Sequence, residues 1–241
     1  MQNGLYVALS SQIALDRRLA TTANNVANLG TGGYRAEETR FEAVLAQATK
    51  GAVAFVGPGD TYLSRASGPI TKTDSPLDVA IQGDAWLAVG GPSGPVYTRD
   101  GRLTMDASGQ LRTLAGQPVL DPGGSTLLLD PAAGPPTIGR DGSIHQGTNQ
   151  VGALGLYTLD PASTLSRAPG NAVASSLPGT PVGDFTRIGL VQGYAEGSNV
   201  NPILEMTKLI TIQRAFEGAA SATADVEASL AGAIKSLGPQ G

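Results

Sequence analysis

The chain has 241 residues and a formal net charge of −4, which removes the electrostatic case for nucleic acid or an anionic membrane surface as its partner. It has no cysteine, so disulfides and thiolate metal sites are excluded and the redox state of its compartment is immaterial. A hydrophobic fraction of 41% suffices for a core, while 33 Gly, 16 Pro and only 5% aromatic residues predict a middle rich in turns and short strands.

Residues 2–29 read as a helix. Leu5, Ala8, Gln12, Leu15, Leu19, Thr22, Val26 and Leu29 recur in steps that alternate between three and four, the spacing of one seam on an α-helix. Several seam positions are small or polar, which suits close packing more than a self-sufficient amphipathic helix. Gly30 fits the position just past a helix end, and Thr31-Gly32-Gly33 turns the chain. Met1 to Leu9 lacks a basic leader region, and Asp16, Arg17 and Arg18 follow with no small-residue cleavage site, so no cleaved secretory signal is expected. No apolar run approaches the ~18 residues that span a bilayer.

From Ala36 to Ser75 the charged positions Glu37, Glu38, Arg40 and Glu42 give way to G-P-G-D at Gly57 to Asp60 and then T-Y-L-S-R-A-S-G-P-I. A short helical or irregular piece followed by extended chain is expected, acting as a linker. Pro76 to Gln150 reads as short strands: L-D-V-A-I-Q-G-D-A-W-L-A-V-G alternates until Gly90-Gly91-Pro92, and Asp100-Gly101, Ser108-Gly109 and Asp141-Gly142 predict hairpin turns that use a positive φ. Val151 to Pro181 continues into a Ser/Pro/Gly-rich loop, and T-R-I-G-L-V-Q-G-Y predicts a strand that returns the chain toward its end.

The last helix is marked most clearly. Asn201 predicts an N-cap, Pro202 suits the first helical position, and Glu205 lies near the positive end of the helix dipole. Leu209, Ile212, Phe216, Ala219, Thr223, Val226, Leu230, Ala233 and Leu237 form a second seam, and Gly238-Pro239 is a stop signal. Gly218 within it costs about 1 kcal/mol relative to alanine, which a close helix crossing would explain. Two readings of the paired seams stay open: a helical hairpin packed on its own domain core, or helices that pair and leave apolar side chains for neighbouring copies to cover, each exposed Leu or Phe costing about 1.5–3 kcal/mol.

A-N-N-V-A-N-L-G-T-G-G-Y-R, Ala23 to Arg35, together with G-Y-A-E-G-S-N-V-N-P-I-L-E-M-T-K-L-I-T-I-Q-R-A-F-E, Gly193 to Glu217, resembles the paired terminal signatures of the bacterial flagellar rod and hook family. L-D-V-A-I-Q-G-D near residue 77, Y-T-R-D-G-R from Tyr97 and R-D-G-S-I from Arg140 are similar to that family's central β-domain. The opening M-Q-N-G-L-Y-V-A-L-S-S-Q and the modest length resemble proximal-rod members more than the distal-rod member or the longer hook proteins. One departure is Gly32, where the family often has Pro or Thr.

The resemblance implies an α+β fold in which long N- and C-terminal helices pair as a coiled-coil-like bundle around an inserted all-β domain. Expected boundaries are 1–35 and 199–241 for the terminal-helix assembly domain, 36–75 for an extended connecting segment, and 76–198 for the β-rich domain. It implies a non-enzymatic structural subunit of the basal-body rod, self- and hetero-assembling into a torque-transmitting helical filament. Implied partners are neighbouring proximal rod subunits, the distal rod protein and the flagellar type III export apparatus, with location in the periplasmic rod and export without a cleaved signal peptide. Subunit-interface candidates are Leu5, Leu9, Leu15, Leu19, Asn24, Asn25, Asn28, Met206, Leu209, Phe216, Val226 and Leu230. Asparagines in a helical seam fix register, so the three suggest polar contacts with adjacent subunits, although capping accounts for Asn28 alone.

No catalytic, cofactor or metal site is expected. His145, the one histidine, has no cysteine or acidic pair at ligand spacing. Gly91-Pro92-Ser93-Gly94-Pro95 lacks the G-K-[ST] ending of a phosphate loop, and no Asp-Gly turn opens a calcium-binding ladder. Trp86 and the six tyrosines form no stacking series for nucleic acid. An alternative from another class, a secreted carbohydrate-binding or hydrolytic β-protein, needs a carboxylate pair in an aromatic groove, and aromatic residues are scarce.

Overall fold

A computed structural model describes residues 2–40, 43–48, 51–56 and 60–237. It is α+β, with helix α1 at Gln2–Ala27, helix α2 at Pro202–Leu237 and a middle that is mostly β. The chain divides into two units. One comprises Met1–Ala27, Glu37–Tyr62 and Asn201–Gly241; the other comprises Asn28–Ala36 and Leu63–Val200.

In the first unit α1 and α2 pack against each other. The start of α2 follows from its sequence: the Asn201 Oδ1 accepts the N–H of Ile203 at 3.1 Å and of Leu204 at 3.2 Å, filling two donors that a helix start leaves empty. Asn201→Ala is expected to destabilise α2 by about 1 kcal/mol, read as a lower urea midpoint of the 222 nm signal, with Asn201→Asp restoring it. The stop signal at Gly238-Pro239 lies outside the described residues. Gly218 is exposed, and a Cβ built there meets nothing within 4 Å. Among the described residues, no close crossing meets Gly218.

Where a short helical or irregular piece was expected after Ala36, the chain forms strands. Glu37–Arg40 pairs with Asp60–Leu63, and Ala43–Ala48 forms an antiparallel hairpin with Gly51–Val56. The physical reason is composition: A-V-L-A-Q-A and G-A-V-A-F-V carry no charge and place valine on both arms, which favours a paired ladder over a solvated coil.

The second unit is built on an antiparallel six-stranded sheet in the order Leu165–Ala168, Ala172–Ser175, Gly94–Thr98, Trp86–Gly91, Leu156–Thr158 and Thr180–Pro181. Trp86–Gly91 was expected to alternate between core and solvent, yet Trp86, Leu87, Ala88 and Val89 are all buried. Both faces of this strand are covered. Leu87 and Val89 join a cluster with Val79, Ile81, Leu111, Val119 and Ile144, whereas Trp86 and Ala88 join one with Leu63, Tyr97, Leu159 and Val173. A strand buried on two sides reads as a continuous apolar run.

Turn chemistry explains the smaller ladders. Gly109 and Gly142 sit at φ +83 and +86 in the hairpins Leu103–Met105/Leu111–Thr113 and Thr137–Ile138/Ser143–Gln146, as expected. Asp100-Gly101 departs from expectation, since the strands on either side of it do not pair with each other. Gly101 serves close approach instead: a Cβ there would lie 1.8 Å from the Val79 carbonyl oxygen. The returning strand predicted before the last helix is present as Gly189–Gln192 and Tyr194–Glu196, paired with Val79–Gln82 and Ile70–Lys72.

Candidate functional site

Two constellations stand out, one in each unit. In the helical unit, α1 and α2 bury a mixed set of side chains and leave several large apolar ones bare. Ala14, Thr22 and Ile212 are buried, and Leu15, Leu19, Val26 and Leu209 are half-buried. On the outside, Ile203 is 78% exposed, Met206 53%, Leu204 52%, Ile210 51%, Leu9 and Ile13 49% each, and Phe216 36%. Ile203, Met206 and Ile210 follow one another by three and four residues and so share a face of α2. Among the expected interface residues, Leu9, Met206 and Phe216 lie in this bare set. The side chains of Leu5, Val226 and Leu230 lie outside the described ones. Ile203, Leu204, Ile210 and Ile13 were missed, because the seam rule follows one stripe per helix and these occupy another.

The three asparagines separate. Asn24 is exposed, and Asn28, half-buried, accepts the Thr31 hydroxyl on its side-chain oxygen at 3.1 Å. Asn25 is only 2% exposed and is engaged within its own chain. Its side-chain oxygen accepts the Glu37 N–H at 2.9 Å, and its amide donates to the Glu37 carbonyl at 2.9 Å and to the Glu205 carboxylate at 3.2 Å. The other Glu205 oxygen accepts from Lys208 at 2.6 Å. One buried amide thus ties α1, the strand at Glu37 and the first turn of α2, a position that admits one register of the helix pair.

In the β-rich unit, the two terminal sequence signatures meet at a buried ion pair. Glu196 takes Arg35 Nη2 on one oxygen and Arg99 on the other, each at 2.7 Å, with the side chains 2% exposed or less. Arg99 also donates to the carbonyls of Ile81, Gly83 and Ala85, and the Arg35 guanidinium lies 5.4 Å from the Trp86 ring centre. Burial pushes the Arg35 guanidinium below the ordinary arginine range, against the opposing pull of the Glu196 carboxylate. The charges form an arginine–glutamate–arginine triad in which one carboxylate serves two guanidinium groups. None of the three was singled out from the sequence, and the signal was Tyr34-Arg35 and Glu196-Gly197, one in each signature.

His145 is half-buried in the strand Ser143–Gln146, opposite Thr137. Among the described residues no group of three acidic, histidine or cysteine side chains gathers at metal-binding distance, and no helix is long and apolar enough to cross a membrane.

Comparison with known proteins accounts for this architecture. Residues 5–35 match the model of the flagella basal body rod protein, residues 80–146 that of the flagellar hook protein FlgE/F/G D1 domain, and residues 191–227 that of the flagellar basal body rod FlgEFG protein C-terminal region. Both ends and the middle thus carry the parts of one class, the rod and hook proteins of the flagellum. Over 238 residues the chain is 48% identical to the flagellar basal-body rod protein FlgF of Mesorhizobium japonicum and 45% identical to that of Rhizobium meliloti, covering 99% of each chain in both cases. It is 31% identical to the flagellar basal-body rod protein FlgG of Buchnera aphidicola, covering 88% of this chain and 91% of the relative. The chain belongs to the flagellar basal-body rod protein family and is a structural subunit of that rod. Membership places it in the flagellar basal body, in association with other rod and hook components. The carbohydrate-binding reading of its β-rich middle is left without support.

Proposed function

We propose that the chain adds to the rod through its terminal helices. Within one copy α1 and α2 pair as a coiled-coil-like bundle, and they pack with the equivalent helices of neighbouring proximal rod subunits and of the distal rod protein. The bare apolar side chains along both helices carry this reading. Paired helices of a free-standing subunit have no reason to present Ile203, Met206 and Ile210 to water, whereas a neighbour that buries them gains about 1.5–3 kcal/mol per side chain. Contacts between two different faces repeat into a helical filament when the rotation does not close, and many such contacts with little free play transmit torque. Leu5, Leu9, Leu15, Leu19, Asn24, Asn28, Met206, Leu209, Phe216, Val226 and Leu230 contribute to the interface, and Asn25 sets the register of the pair that presents it.

In the same reading, residues 1–35 and 199–241 do the assembling, 36–75 lies against the neighbouring subunit, and 76–198 forms the β-rich domain. The subunit reaches the periplasm through the flagellar type III export apparatus. Electron microscopy of isolated basal bodies is the test: density for this chain is expected in the proximal rod with its helices toward the axis, and density elsewhere would refute the assignment. Phe216→Asp or Leu209→Asp is expected to leave export intact and stop rod growth; normal motility of either variant would contradict the packing role.

A further inference from the structure

Because the helical unit is drawn from separate stretches of sequence, the chain passes between units at four places, next to Asn28, Ala36, Leu63 and Val200. Within the β-rich unit, the last three of these passages are tied together by two side chains. Asn199 does so with its backbone N–H and both ends of its side-chain amide. Its N–H donates to the Tyr34 carbonyl at 3.2 Å, its side-chain oxygen accepts the Ala36 N–H at 2.6 Å, and its amide donates to the Ala66 carbonyl at 2.8 Å. Behind it, one oxygen of Glu196 accepts both Arg35 and the Gly68 N–H, the latter at 2.8 Å, while the Glu196 backbone carbonyl accepts the Gly33 N–H at 2.8 Å. Ser64 N–H closes the set by donating to the Ala36 carbonyl at 2.8 Å. A residue that merely prepared α2 would bond forward along the chain, as Asn201 does to Ile203 and Leu204. These three bonds of Asn199 run backward instead, across sequence separations of more than a hundred residues.

We propose that Asn199, backed by Glu196, is a clasp that gathers the chain passages of the β-rich unit and thereby makes the pairing of α1 with α2 depend on that unit being folded. The helices lie at opposite ends of the sequence, and bringing them together from an open chain requires closing a loop that spans the whole middle. With the clasp shut, that closure has already been made by the β-rich unit. When it opens, the passages loosen together and the helix pair loses its tether while the β core persists. Asn199 is in this sense a positioning residue. The inference concerns a single chain and stands whether or not its helices pack with neighbours.

The test compares the full-length chain with Asn199→Ala and Asn199→Asp, using residue-resolved amide exchange together with thermal melts followed at 222 nm and by the fluorescence of Trp86. In Asn199→Ala the amides of Ser64 and Gly68, whose own partners are untouched, are expected to exchange about tenfold faster along with Ala36. The helical signal is expected to melt below the Trp86 transition, with the amides of Val79 to Val89 unchanged. Asn199→Asp keeps the acceptor for Ala36 but loses the donor to Ala66, so it is expected to fall between the two. Acceleration confined to Ala36, acceleration spread equally through Val79 to Val89, coincident melts in both variants, or failure of both variants to fold would each overturn the clasp.

Discussion

Glu196→Ala is expected to be the most destabilising single change in the β-rich unit, costing about 3–5 kcal/mol, because it leaves two guanidinium groups buried without a counter-charge. Both arginines are 2% exposed or less, so neither reaches water without unpacking its neighbours. A loss of that size is a large share of the 5–15 kcal/mol by which a typical domain is stable. The result should show as a collapse of the urea midpoint read by Trp86, which lies beside Arg35. It should also be nearly the same in dilute buffer and in high salt, since a desolvated pair is little screened. Glu196→Gln should not rescue, because one of its two terminal atoms becomes a donor facing arginine donors. A Glu196→Ala midpoint close to that of the unchanged chain would show that water enters and compensates the arginines. Converting the whole triad to apolar residues, which is tolerated in some proteins, is expected to fail here: Arg99 also satisfies the carbonyls of Ile81, Gly83 and Ala85, and these would be left unpaired.

The double substitution Ile203→Asp with Met206→Asp should have the opposite character, abolishing rod assembly while leaving the isolated chain as stable as before. Ile203 and Met206 are 78% and 53% exposed, and surface changes of this kind usually shift stability by no more than about 0.5 kcal/mol. Two carboxylates near the start of α2 even lie favourably in the helix dipole. In an assembly that buries this face, the same carboxylates must be desolvated without partners, a cost of several kcal/mol per contact repeated at every subunit. Export of the variant measured in culture supernatant, swimming in soft agar, and basal bodies seen by electron microscopy separate the outcomes. Rods of normal length would place the assembly contact on another surface of the helices.

How much was legible beforehand varied with the range of the interaction that decides each feature. Asn201, Pro202 and Glu205 act within one turn, so the beginning of α2 was readable to the residue. The Gly109 and Gly142 hairpins were equally readable, since two residues and a positive φ specify them. Asp100-Gly101 has the same local chemistry, yet its glycine answers to a backbone from Val79, which no short window contains. The strand Glu37–Arg40 was hidden for a related reason: its charged residues masked a pairing that depends on chain arriving from Asp60 onward. At the candidate interface, periodicity found Phe216 but passed over Ile203 and Ile210, because a three-four repeat reports which side of a helix is apolar and is silent about a second apolar side.

Local chemistry written in the chain therefore determined the two terminal helices, the Asn201 cap of α2, the hairpin turns at Gly109 and Gly142 and the family signatures at each end. Tertiary structure alone decided which apolar residues stay bare, that Asn25 works within its own chain, and that Arg35 and Arg99 share the Glu196 carboxylate in the β-rich core. The physical reason is that caps and turns are settled by atoms a few bonds away. Burial and charge compensation, by contrast, depend on partners such as Arg35 and Glu196 that only the folded chain brings within 2.7 Å.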